Sequence, residues 1–183
     1  MTLHGDAVRV LTAWAPSDAG QARLQAQYLE HLATHADAMW RECRPDHLTA
    51  SALVVSADGR DVLLTLHRRI GRWLQMGGHC EPADGSLAGS ALREATEESG
   101  IAGLALRAVP ARLSYHEVPC GPVRPAHHLD VQYVAAAPAD AVPVISDESA
   151  DLRWFPLDEL PSDADGALRA LVATAAAGSA RLP

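Results

Sequence analysis

Three glutamates, Glu94, Glu97 and Glu98, stand at positions i, i+3 and i+4 of a stretch that reads as a helix from about residue 87 to residue 99 and stops at Gly100. At about 100° per residue, with Glu94 set at zero, Glu97 lies near −60° and Glu98 near +40°, so the three carboxylates share one narrow face. Ala88, Leu92, Ala95 and Ser99 gather between about 100° and 160°, a separate small and apolar face expected to pack on a sheet. Like charges at this spacing weaken a helix by roughly a few tenths of a kcal/mol per pair, so the run calls for a counter-charge. Mg2+ suits that task, with Mn2+ as a substitute, because it takes hard oxygen ligands and bridges protein carboxylates to phosphates. Taken alone, such a run is more often a solvated helical face. Its surroundings decide otherwise.

The segment GGHCEPADGSLAGSALREATEESGI, residues 77–101, resembles the Nudix box, counted here from Gly78 to Ile101. The box runs glycine, five residues, glutamate, seven residues, then Arg-Glu-apolar-x-Glu-Glu-x-Gly and an apolar residue. Arg93, Glu94, Ala95, Glu97, Glu98, Gly100 and Ile101 match its second half position by position. Trp73, Leu74 and Gln75 before the glycines, and Trp154-Phe155-Pro156-Leu157 with Glu159-Leu160-Pro161 near the end, resemble the framing elements of a Nudix domain, so the likeness spans residues 48–177. Counted from Gly78, the loop to Arg93 is one residue longer than the pattern; Asp84 takes the place of its first glutamate, with Glu81 an alternative nearby, and Met76 stands where many members carry proline. These departures bear on loop contacts rather than on the helix carboxylates.

The resemblance implies an α/β fold, a Nudix α/β/α sandwich with a mixed β-sheet. It also implies a Mg2+-dependent pyrophosphohydrolase that cleaves the diphosphate linkage of a nucleoside diphosphate joined to a group X. Glu94, Glu97, Glu98 and the carbonyl of Gly77 would hold the metal, and Glu98 is the first choice as ligand or base. Arg93 would hold the glutamates in place. Some members draw a base from a distant loop, where this chain has Glu148; an ordinary solvated acid is the competing account of that residue. Two other functions remain open: a ligand-binding regulator that keeps the fold without hydrolysis, and an isopentenyl-diphosphate isomerase-like enzyme, for which Cys80 after Gly78-His79 is the only hint. Many Nudix enzymes are homodimers, and the N-terminal extension can form a dimer surface or cap the pocket.

Beyond the box, Arg68, Arg69 and Arg72 lie on its approach and can attract phosphate, or simply solubilise a hairpin. His79 can reach a substrate phosphate or base. His127, His128 and Asp130 open an expected strand, with His116 on the one before it. Alternation sends His128 and Asp130 to the same face, where they can line a pocket. No third ligand stands at an informative spacing, so these histidines are expected to hydrogen-bond rather than bind a metal.

The elements that must position these residues follow from pattern. Residues 8–14 read as a short strand, and a helix capped by Ser17 or Asp18 should follow, its stripe formed by Leu24, Tyr28, Leu32 and His35 and its end marked by Pro45. Residues 1–45 are accordingly expected to form an extension of strand and helix, and residues 46–178 the catalytic domain. Within the latter, residues 50–56 and 61–67 flank Asp58-Gly59 as a hairpin, and residues 73–76 run into the double glycine. Strands at 104–117, 128–136 and 152–155 and a last helix at 165–177 complete a mixed α/β arrangement.

Composition narrows the function further. The 183 residues, 48% hydrophobic, suffice for one substantial core with a small extension. No apolar run reaches the roughly 20 residues of a membrane helix. The formal charge of −8 argues against coating long nucleic acid, though not against a small nucleotide-type substrate. All fifteen basic residues are arginine, which excludes Schiff-base chemistry and a P-loop. Three scattered cysteines suggest neither a disulfide framework nor a zinc site, and a reducing cytoplasm is the expected location.

Overall fold

In the computed structural model, residues 1–120, 122–147 and 149–179 are described. Two helices, α1 (Leu3–Ala13) and α2 (Ala19–Thr34), precede β1 (His47–Val55), β2 (Asp61–His67), β3 (Trp73–Leu74) and β4 (Met76–His79). The box helix α3 (Leu87–Ser99) follows, then β5 (Ala105–Leu106), β6 (Arg112–Glu117), β7 (His127–Ala136), β8 (Ser149–Pro156) and α4 (Gly166–Ser179). Among the described residues no helix is long and apolar enough to cross a membrane.

The strands form one eight-stranded mixed sheet. Its spine is the parallel pair β1 and β7, in register from His47 opposite His128 to Val55 opposite Ala136. The other pairings are antiparallel: β4 lies along β1, with Ser51 opposite Gly77 and Ala50 opposite Gly78, and β6 lies along β7. Both faces of β1 are covered, as the burial of all nine residues requires. Leu48, Ala50, Ala52 and Val54 join the core beneath α1, α2 and α3, whereas Leu53 and Val55 join the one beneath α4. The result is an α/β/α sandwich with an N-terminal helical extension.

Two expectations about the extension are corrected. Residues 8–14 belong not to a strand but to α1 and its C-cap, Trp14. The β-branched Val8 and Val10 suggest a strand, yet the decisive period is helical: Leu3, Ala7 and Leu11 recur every four residues and are buried, while Val8 is 36% exposed. The second helix, capped by Asp18, ends at Thr34 well before Pro45, where His35 turns to extended backbone at φ −128°.

Candidate functional site

Ser86 caps α3 by accepting the Gly89 N–H at 3.0 Å, and Gly100 stops it in the left-handed region at φ 65°. Burial along α3 falls on Leu87, Ser90, Ala91, Ala95, Glu98 and Ser99, a face that includes Glu98 instead of standing apart from the carboxylates. The expectation of two separate faces is therefore corrected. Leu92 and Ala88 are only half-buried, and Glu98 is 9% exposed. The side chain of Glu97 is 60% exposed, that of Glu94 15%.

Arg93 organises the surroundings. Its Nε and Nη2 donate to the two oxygens of Asp84 at 3.0 and 3.1 Å, its Nη1 to Glu94 Oε1 at 3.0 Å and Glu97 Oε2 at 3.1 Å, and its Nη2 also to the carbonyl of His79 at 3.0 Å. The planar fork thus ties the loop, the end of β4 and two box glutamates together. Burial works to raise the Asp84 carboxyl, but hydrogen bonds from Arg93, the Glu81 N–H and Ser90 outweigh it and hold Asp84 below the usual carboxylate range. Asp84 in turn raises the guanidinium above its ordinary value. Glu81, the alternative, is 59% exposed and 3.8 Å from Arg93.

The double glycine brings β4 close to its neighbours. A Cβ on Gly78 would sit 2.7 Å from Glu94 Oε1, so this carboxylate packs directly on the Gly78 backbone. At the far end of α3, the carbonyl of Ser99 accepts the Val144 N–H at 2.7 Å, which docks the loop leading to β8 beside the last turn. Glu148, expected in that loop, lies outside the described residues.

Other expected site residues have partners of their own. Arg68 donates to the carbonyls of Asp147 and Ser149, and Arg72 lies 3.7 Å from Asp165. Asp130 is buried on the polar part of the sheet face opposite α3, accepting from Thr49 at 3.1 Å, Ser51 at 2.7 Å, Gln132 at 3.2 Å and Gln75 at 3.4 Å. A cleft of about 430 Å³ beside Trp14, Arg107 and Val134 shares no lining residue with either group.

His79 and His128 meet on the Asp130 face, His127 pairs with Asp46 at 3.0 Å, and two further residues that spacing did not single out join the first two. His47, His79, Cys120 and His128 each offer a ligand atom, and these atoms lie within 4.8 Å of one another. The missing ligands were His47, at the start of β1 opposite His128, and Cys120, in the loop after β6. Burial, then the neighbouring rings His79, His47 and His116, pushes His128 down to about 2; burial, then His47 and Arg41, pushes His79 down to about 4; burial also lowers His47. Cys80, by contrast, is buried in the core with its thiol pushed up to about 11 by burial.

Comparison with known proteins agrees with this geometry. Residues 45–175 match the NUDIX domain family. The crystal structure of a C. elegans Ap4A hydrolase binary complex superposes with a TM-score of 0.63 at 18% identity, covering 74% of this chain and 98% of that one. The MutT NUDIX hydrolase from Burkholderia pseudomallei gives 0.54 at 25% identity, covering 70% and 97%. The E. coli dihydroneopterin triphosphate pyrophosphohydrolase gives 0.56 at 17%, covering 70% and 92%. No curated protein matches the chain. The family match over most of the chain, on a sandwich whose box helix carries its three glutamates, shows that the chain belongs to the Nudix family.

Proposed function

We propose that the protein is a Mg2+-dependent pyrophosphohydrolase acting on a small nucleoside diphosphate joined to a group X. The observation that carries this reading is the pair Glu94 and Glu97 held by Arg93 on α3, with Glu94 packed on the Gly78 backbone and Glu98 buried one position beyond Glu97 on the same helix. The donors fit the ion: Glu94, Glu97, Glu98 and the carbonyl of Gly77 are all hard oxygens, as Mg2+ prefers. When bound, Mg2+ supplies a lowered water pKa, polarisation of the phosphoryl oxygen and orientation of the leaving group.

The chain's own residues do the rest. Glu98, the most buried of the three, accepts the proton of the attacking water while the new oxygen–phosphorus bond forms and the bridging phosphoanhydride bond breaks, leaving a nucleoside monophosphate and phosphorylated X. Arg93 keeps Glu94 and Glu97 oriented without touching the substrate. Asp130 is the candidate for substrate contact, and Glu148 for a second base. Residues 1–45 act as an accessory extension of the domain at 46–178, and the enzyme works in the cytoplasm as a homodimer.

The test is phosphate release from a panel of nucleoside diphosphate derivatives that includes dinucleoside polyphosphates, set beside a pterin triphosphate, with a coupled phosphatase, with Mg2+ and with EDTA. Mg2+-dependent turnover of one class should disappear in Glu98→Gln, which keeps shape and removes charge. A folded variant that retains full turnover overturns the assignment of Glu98, and silence of the wild type across the panel overturns the hydrolase.

A further inference from the structure

We propose that His47, His79, Cys120 and His128 form a second metal site, closed and structural, that takes Zn2+ and is separate from the glutamates of α3. Four side chains from four separate segments converge there: the start of β1, the end of β4, the loop after β6 and the start of β7. The ring centroids of His47 lie 5.1 Å from His79 and 4.9 Å from His128, with 5.1 Å between the latter two, and Cys120 Sγ is 3.8 Å from His79 Nε2.

The second observation is independent of this convergence. His47 is 2% exposed, and its Nε2 has no hydrogen-bond partner; neither has the buried Nε2 of His128. The other nitrogen of His47, Nδ1, lies 3.2 Å from the carbonyl of Cys43. A carbonyl only accepts, so Nδ1 carries the proton and Nε2 presents a lone pair. A carbonyl behind a ligating histidine is the usual device for fixing ring and tautomer. Two buried nitrogens left without partners are a cost that a cation between them removes.

The donor set chooses the ion. Imidazole and thiolate suit borderline and soft metals, and Mg2+ prefers oxygen. Tetrahedral Zn2+, with bonds of about 2.0–2.1 Å to nitrogen and 2.3 Å to sulfur, places its ligands about 3.3–3.6 Å apart. The present spread of up to 4.8 Å therefore closes by about 1.2–1.5 Å, within the reach of side-chain rotations. Four protein ligands leave no open position, which marks a structural site. On binding, the Cys120 thiol passes its proton to solvent and the ion takes the thiolate.

The site would brace the metal-binding edge of the Nudix box through one residue. His79 offers its ring to the cluster and its carbonyl to Arg93, which holds Glu94 and Glu97. Through Cys120 the clip also reaches the stretch just after β6, where the Val118 N–H donates to the carbonyl of Ala126 at 2.8 Å.

The experiment measures metal content and spectra rather than turnover, so its result is independent of the hydrolase reading. Purified full-length protein should carry about one zinc per chain by mass spectrometry, and restoring zinc to the stripped protein should raise its melting temperature. Replacement by Co2+ should give intense tetrahedral visible bands with a sulfur-to-metal band in the near ultraviolet. Cys120→Ser, in a half-buried loop position, should fold, lose the sulfur band and bind zinc at least tenfold more weakly. The double variant His47→Ala/His128→Ala should lose binding. His31→Ala removes a histidine of a different neighbourhood, where His31 Nε2 lies 3.8 Å from Cys43 Sγ, and should leave stoichiometry unchanged. Wild-type protein without zinc and with no response to it, a sulfur band that survives Cys120→Ser, or zinc lost through His31→Ala overturns the proposal.

Discussion

A methyl group added at Gly77 would lie 2.3 Å from Ser51 Cβ and 2.7 Å from Ser51 Cα, whereas one at Gly78 would first meet the Glu94 carboxylate, 2.7 Å from Oε1. The first clash is with a neighbouring strand and cannot relax unless β4 leaves β1. The second is with the end of a side chain that can swing away. Gly77→Ala should therefore cost at least about 1–3 kcal/mol, as overpacking does, whereas Gly78→Ala should keep its urea midpoint close to wild type and lose Mg2+-dependent turnover as Glu94 is displaced. Equal midpoints for the two variants would contradict this account. The carboxylates were legible because i, i+3 and i+4 is local geometry. Their partial burial was not: the burial of Glu98 depends on how α3 rolls against the sheet. The histidine–cysteine cluster was less legible still, since residues 47, 79, 120 and 128 become neighbours only through the parallel pairing of β1 with β7 and the addition of β4. A weak signal was present in the alternation of His47, Thr49 and Ser51, polar on the strand face that turns apolar at Leu53.

At the scale of elements, α3 owes its start to two caps, only one of which is local. Ser86 supplies one, and the buried carboxylate of Asp6 in α1 supplies the other by accepting the Leu87 N–H at 2.9 Å. A carboxylate at a helix N-terminus also favours the helix dipole. Asp6→Ala leaves that N–H buried without its acceptor and should cost about 1–3 kcal/mol, against about 1 kcal/mol for Ser86→Ala, both read from urea unfolding. A neutral Asp6→Ala would show that α3 does not depend on α1. The hairpin, the box helix and the last helix were readable from turn residues and periodicity. The links between the extension and the domain were not, because side chains make them across the sheet edge. Gln21 bonds both the N–H and the carbonyl of Leu113 on β6, at 2.7 and 3.0 Å, and Tyr28 donates to the carbonyl of Ser114 at 2.8 Å. These contacts occupy backbone groups of β6 that an uncovered edge strand would leave open.

For the whole molecule, the family match begins at residue 45, yet the core ignores that boundary. Leu3, Leu11, Trp14, Tyr28 and Leu32 belong to the same buried cluster as Leu48, Met76, Leu87 and Tyr133. Trp14 donates its indole N–H to the carbonyl of Pro110 at 2.7 Å, and Asp6 caps the box helix. An appendage joined by a small polar interface would open on its own at low free energy, whereas one that shares the core should open only with the rest. Hydrogen exchange followed by mass spectrometry on the intact protein distinguishes the two. Peptides from the middle of α1 and α2 should exchange with the same opening free energy and urea dependence as those from β1 and β7. Protection of the helices that collapses well below the urea concentration that opens the sheet would make residues 1–45 a separable unit. Shared protection would mean that the extension is part of what holds the box glutamates in place, because removing it would strip α3 of a cap and the sheet of part of its cover on one side.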